Sequence, residues 1–245
     1  MDRRRFVQAT GLAAVGAMLA KPRLLHAANS SSIATNSRVM HHWSTDSGDI
    51  LLAGPRGVAT ILIDQQDHQV VHIAGRMLAD DLHRVTGHKP TVATRVDHIP
   101  TAIIIGTLGQ SSWVDQLAAK GKINVAAIKG KWEASLWQTV EQPIAGIDRA
   151  LVIAGSDRRG TAYGVMDLCE LAGVSPWFWW ADVPVKKAAA VAVTAGVRFG
   201  GESGVKYRGV FINDEDWGFQ PWAVFSRIFT IEKGYRIGQH WLDMR

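Results

Sequence analysis

Residues 150–173 read ALVIAGSDRRGTAYGVMDLCELAG. Ala150 to Ala154 is short and continuously apolar, the pattern of a strand covered on both faces. Gly155-Ser156 breaks the run. Asp157 is a favoured helix N-cap, because its carboxylate can accept from the free amides of the next turn. A helix over about Gly160 to Ala172 follows, with Ala162, Val165, Cys169 and Ala172 at helical spacing, and Gly173 stops it. A doubly covered strand running into a capped helix is the building unit of an α/β fold.

Working outward, the same alternation recurs. Upstream, TAIIIG at Thr101 to Gly106 is a second buried strand. Ser111-Ser112 caps a short helix through Leu117 and Ala119, ended by Gly121. Glu133 to Val140 is expected to be a strand. Gly57 to Ile63 is β-rich and ends at Asp64. Val70, Ile73, Ala74, Met77, Leu78, Leu82 and Val85 predict a helix, with Gly87 as its stop. Downstream, Val191 to Thr194 is a final short strand. Residues 38–197 are therefore expected to form one α/β domain. A new segment, 204–245, opens with a strand at Tyr207 to Ile212 that ends in Asn213-Asp214-Glu215-Asp216.

Length and charge bound the possibilities. The 245 residues allow one large domain or two small ones. The net charge of +5 includes Arg3, Arg4 and Arg5, and no basic stripe crosses the body, which argues against nucleic-acid binding. The single cysteine, Cys169, permits no intramolecular disulfide and reads as a buried structural thiol. Residues 1–28 carry Arg3-Arg4, an apolar run from Ala9 to Ala20, and small residues Ala27 and Ala28, in the order of a twin-arginine signal peptide. The run is too short for a stable membrane anchor, which needs about 20 apolar residues. The expected partner of this segment is the twin-arginine export machinery, and the expected location is periplasmic or secreted. Residues 29–37 look like a flexible leader.

Few local motifs are decisive by themselves. The turn Ser156-Asp157-Arg158-Arg159-Gly160 can hold a carboxylate through Arg158 and helix-terminal amides. The simpler reading is a capped turn. Gly106-Thr107-Leu108-Gly109 lacks both the dinucleotide fingerprint and the P-loop lysine, and no other glycine fingerprint follows a strand, so nucleotide binding is excluded. His41-His42 has no ligand partner at useful spacing and reads as surface. Trp177-Phe178-Trp179-Trp180 is either a sugar-binding or interdomain wall or a β-edge packed on both sides. Ten tryptophans favour sugar stacking only slightly, since tryptophan is equally a core residue. Asn213 to Asp216 is either a solvated turn or a catalytic cluster at the end of a barrel strand.

Taken in order, longer phrases carry a resemblance. They are ADDLHRVTGHKP, IIIGTLGQS, KGKWEASLWQTVEQP, RALVIAGSDRRGTAYGVMDLCELAGVSPWFWWADVPV and VKYRGVFINDEDWGFQPWA. From about Gly57 to Trp222 the chain resembles the front portion of glycoside hydrolase family 115. The resemblance implies an α/β fold: a hexosaminidase-like N-terminal α/β domain, then the first strand of a (β/α)8 barrel. It implies removal of α-1,2-linked glucuronic acid, or its 4-O-methyl ether, from an acidic xylan or glucuronoxylo-oligosaccharide by inversion. No metal or organic cofactor is expected. Asp214 and Glu215 fall on the family's motif and mark the expected catalytic site. Arg158, Trp179, Asp216 and Trp217 are the expected substrate contacts. After Trp222 the resemblance fades, and the expectation is a truncated barrel that is inactive alone. The alternatives are a non-catalytic glycan-binding module and a broken product that aggregates through the strand at Tyr207 to Ile212.

Overall fold

The computed structural model describes residues 37–42 and 49–209, and of Trp179 and Trp180 the backbone only. The expected signal peptide, most of the expected leader, and Asp214, Glu215, Asp216 and Trp217 lie outside the described residues. So does Val210 to Ile212, half of the expected barrel strand; Tyr207 to Gly209 belongs to neither sheet. No helix among the described residues is long and apolar enough to cross a membrane.

The strands are β1 (Val39–Met40), β2 (Ile50–Gly54), β3 (Gly57–Val58), β4 (Thr60–Ile63), β5 (Val92–Ala93), β6 (Ile99–Thr107), β7 (Ser135–Glu141), β8 (Ile147–Gly155), β9 (Val191–Val193) and β10 (Val197–Gly200). The helices are α1 (Gln69–Thr86), α2 (Ser112–Ala119), α3 (Arg158–Ala172) and the single turn α4 (Phe178–Ala181). The main sheet has the order β10-β7-β8-β6-β4-β5. β5, β4, β6 and β8 are parallel neighbours, and β7 is antiparallel to both β8 and β10. A small antiparallel sheet, β1-β9-β2-β3, completes the strands.

The apolar runs of the sequence are the centre of this sheet, and their alternation sorts them into two cores. Ile61, Ile63, Ile103, Ile105, Leu151 and Ile153 face one layer with α1, α3 and the small sheet. Leu62, Ile104, Val152 and Ala154 face the other, against Val114 and Leu117 of α2. Successive strand residues point to opposite faces, so a run apolar at every position requires cover on both sides. α1 buries Val71, Ala74, Leu78, Leu82 and Val85 as its spacing requires. It stops at Gly87, whose φ of 80° lies in the left-handed region and whose amide donates to His83 O at 2.8 Å. Between α1 and α3, buried Asp81 pairs with Arg84 at 2.6 Å. Burial raises the carboxyl of Asp81 and pushes the Cys169 thiol well up, so Cys169 is an inert buried thiol, as expected.

Four local expectations are corrected. Gly57 to Ile63 is two strands, not one. The chain breaks at Ala59, so Gly57–Val58 turns back on β2 in a hairpin while Thr60–Ile63 enters the main sheet. The Trp177 run is no β-edge: Phe178–Ala181 is a helical turn, with Arg84 over the Phe178 ring at 5.2 Å. β10, for which the sequence carries no distinct signal, extends the main sheet to Gly200. Ser37, assigned to the leader, is buried and donates from Oγ to Thr194 O at 3.1 Å.

Ile104 is fully buried in the central strand β6, whereas Val58 is exposed. Ile104→Ala should cost about 2–5 kcal/mol of stability in denaturant titration, and Val58→Ala should stay within about 0.5 kcal/mol.

Candidate functional site

Open parallel sheets bind ligands outside the carboxyl ends of their strands. Here the chain's own side chains occupy that edge. At the end of β4, the Asp64 carboxylate accepts from Gln66 N (3.0 Å), Ser112 N (2.8 Å) and the Ser112 hydroxyl, tying the strand to the start of α2. Asp67 accepts from Thr107 N at 2.8 Å, at the end of β6. The Thr107 hydroxyl meets that of Thr161 in α3 at 2.8 Å, and Thr161 also donates to Asp157 O at 3.0 Å. Burial by itself would raise the Asp64 carboxyl. The bonds from Ser112 and Gln66 outweigh it and hold the group below its ordinary value.

Beyond the end of β8, one carboxylate organises the next layer. Asp157 Oδ1 accepts from Arg159 N (2.9 Å) and Gly160 N (2.8 Å), which caps α3. Its Oδ2 accepts from Glu133 N at 2.7 Å, a residue held at φ 55° just before β7. Ser156 Oγ accepts from Ala134 N at 3.0 Å. The two segments touch so closely that a Cβ on Gly160 would lie 2.3 Å from Ala134 O, so only glycine fits there.

Glu133 is 6% exposed, and a buried carboxylate needs partners. Arg159 Nε lies 3.0 Å from its Oε1, and Arg208 Nη2 bonds its Oε2. Both guanidiniums also donate to the Tyr163 hydroxyl, Arg159 at 3.0 Å and Arg208 at 3.1 Å. Arg208 further lies over the rings of Tyr163 (5.6 Å) and Trp132 (5.9 Å). The bond to Glu133 raises the Arg208 guanidinium above its ordinary value; the bond to Tyr163 does the same for Arg159. The result is a cluster of one anion and two cations that joins the start of β7, the first turn of α3 and the chain after β10.

The anticipated site residues meet this geometry unevenly. The turn at Ser156–Gly160 is a capped turn: the amides of Arg159 and Gly160, which an anion would use, already bond Asp157. Arg158 is exposed in the first turn of α3 and has no ion pair among the described residues. Its neighbour Arg159 is the one that reaches Glu133, because adjacent helical residues point about 100° apart. Trp179 lies in α4. His41 and His42 are exposed, as expected, and His41 Nε2 is 3.3 Å from Ala172 O. Glu133, Arg159, Tyr163 and Arg208 went unnoticed in the sequence. The one available signal was a lone acid between Trp132 and an apolar run, where a strand would bury it.

These features define a class: a mostly parallel α/β domain whose strand-end edge is sealed and whose charged cluster grips the chain as it leaves. Comparison with solved structures narrows it. The chain is similar to a family GH115 4-O-methyl-α-glucuronidase, BtGH115A, with specificity for decorated arabinogalactans, at 32% identity and a TM-score of 0.58. The match covers 74% of this chain and 22% of that one, so the chain spans about a fifth of that protein's length. The fold is GH115-like. More distant are CpGH84D (10% identity, TM-score 0.39, 66% of this chain and 22% of that one) and a GH20 β-N-acetylhexosaminidase from Streptomyces coelicolor A3(2) (14%, 0.35, 63% and 24%). No protein-family profile and no curated protein matches the chain.

Two outcomes follow from the edge. Asp157→Ala should lower stability by about 1–2 kcal/mol through loss of the cap, read from denaturant titration. Asp64 has its carboxyl depressed in the folded chain, so its contribution is complete above the unfolded value of about 3.9 and is lost as pH falls through the folded one. Asp64→Asn should therefore be less stable near neutrality, with a flatter fall in stability below about pH 4.

Proposed function

We propose that residues 37–209 are the α/β domain that precedes the catalytic barrel of a family 115 glycoside hydrolase. The observation that carries this is the 32% identity, over 74% of the chain, to an α-glucuronidase of the same fold. The reaction is release of (4-O-methyl)glucuronic acid with inversion. Asp214 and Glu215 stand at the end of the first barrel strand, as the resemblance implies. Inverting hydrolysis requires one carboxylic acid to protonate the leaving oxygen. A second carboxylate, about 6.5–9.5 Å away, activates water on the other side of the sugar. Neighbouring residues of one strand end cannot supply both walls, so Asp214 and Glu215 by themselves are not expected to turn substrate over. Arg158, Trp179, Asp216 and Trp217 belong to this reading as substrate contacts, and export by the twin-arginine route is its cellular setting.

A second reading, acidic-glycan binding without hydrolysis, has one observation in its favour: Trp177 is 63% exposed and presents an aromatic face to solvent. One set of assays separates the two. Purified chain is incubated with glucuronoxylan and with decorated arabinogalactan, and released glucuronic acid is measured beside a calorimetric titration with aldouronic acids. The expected result is no release. Measurable release overturns the reading that Asp214 and Glu215 need a carboxylate from elsewhere in the barrel. Tight calorimetric binding without release establishes the second reading.

A further inference from the structure

In the cluster at Glu133 only the carboxylate is buried; the side chains of Arg159 and Arg208 are 46% and 36% exposed, so the pairs themselves add little stability. The cluster at Glu133 is where residues 201–209 meet the domain. Among the described residues, these nine belong to no helix or sheet. Their side-chain bonds to the domain all go to one place. Glu202 Oε1 accepts from Trp132 N at 3.4 Å, and Arg208 bonds Glu133 and the Tyr163 hydroxyl. Around them the segment is exposed: Val205 at 62% and Tyr207 at 84%. The receiving side is rigid by comparison. Glu133 is fixed through its amide by Asp157, in a left-handed backbone that the surrounding contacts must impose. Its carboxylate is also held by Arg159, on the first turn of α3.

We infer that Glu133 is a positioning residue. With its amide held by Asp157 and its carboxylate by Arg159, it clamps Arg208 and so fixes the point from which the chain leaves the α/β domain. Asp214 follows Arg208 by six residues in the sequence. On the hydrolase reading proposed above, the clamp therefore sets the register of the carboxylates relative to the domain. Two guanidiniums on one carboxylate suit this role, because a planar fork engages in a fixed orientation, which a lysine ammonium does not provide.

Trypsin cleavage of the 245-residue chain tests the clamp. Cleavage after Arg208 requires its guanidinium to leave Glu133 and enter the protease, and cleavage after Lys206 requires the same segment to come free. Exposed Lys120, at the end of α2, is the internal control. In the parent, cleavage after Arg208 should be slow. Glu133→Gln should speed cleavage after Lys206 and Arg208 by roughly two- to fivefold, with Lys120 unchanged. Glu133→Asp, which keeps the anion on the same backbone, should restore much of the protection. Should Glu133→Gln fold poorly, Arg208→Gln leaves Glu133 paired with Arg159 and should speed cleavage after Lys206 by a similar factor. Unchanged cleavage at Lys206 and Arg208 overturns the proposal. So does equal acceleration at Lys120, because Glu133 would then support the whole domain rather than the segment. No glycan enters this assay, so its failure is distinct from failure of the hydrolase reading.

Discussion

One carboxylate, that of Asp157, bonds three backbone amides in two segments far apart in sequence: Arg159 and Gly160 in the first turn of α3, and Glu133 before β7. The free amides at a helix start must be satisfied somewhere. By satisfying two of them and Glu133 N together, Asp157 sets the start of the helix against the start of the strand. The absence of a side chain at Gly160 permits that contact. The orientation of the Glu133 carboxylate depends on it, and through Glu133 so does the position of Arg208.

The edge where many α/β proteins bind ligands is thereby converted into a structural seal. Asp64, Asp67, Thr107 and Thr161 direct their hydrogen-bonding capacity to one another's strands and helices.

Much of the fold was legible. The runs at Thr101 and Ala150, the caps at Ser111 and Asp157 and the stop at Gly87 each carry a local physical signal, and each matched an element. The errors fell where local signal and tertiary demand diverge. Gly57 to Ile63 has strand propensity throughout, and only pairing with β2 on one side and β6 on the other divides it. β10 has ordinary composition and exists as a strand because β7 offers an edge beside it. Four aromatics in a row left a ligand or interdomain wall and a packed β-edge equally open, and the chain makes a helical turn there, which removes the second.

The sequence by itself determined the α/β class, the buried status of Cys169 and the capped turn before α3, because periodicity, apolar runs and cap chemistry act within a few residues. The tertiary structure alone decided that Arg159, not Arg158, meets a buried acid, and that Arg208 completes the pair from 75 residues beyond Glu133. The reason is physical: a buried charge takes whichever partner the packed helices and strands bring within reach, and that choice is made by three-dimensional proximity, which no local spacing encodes.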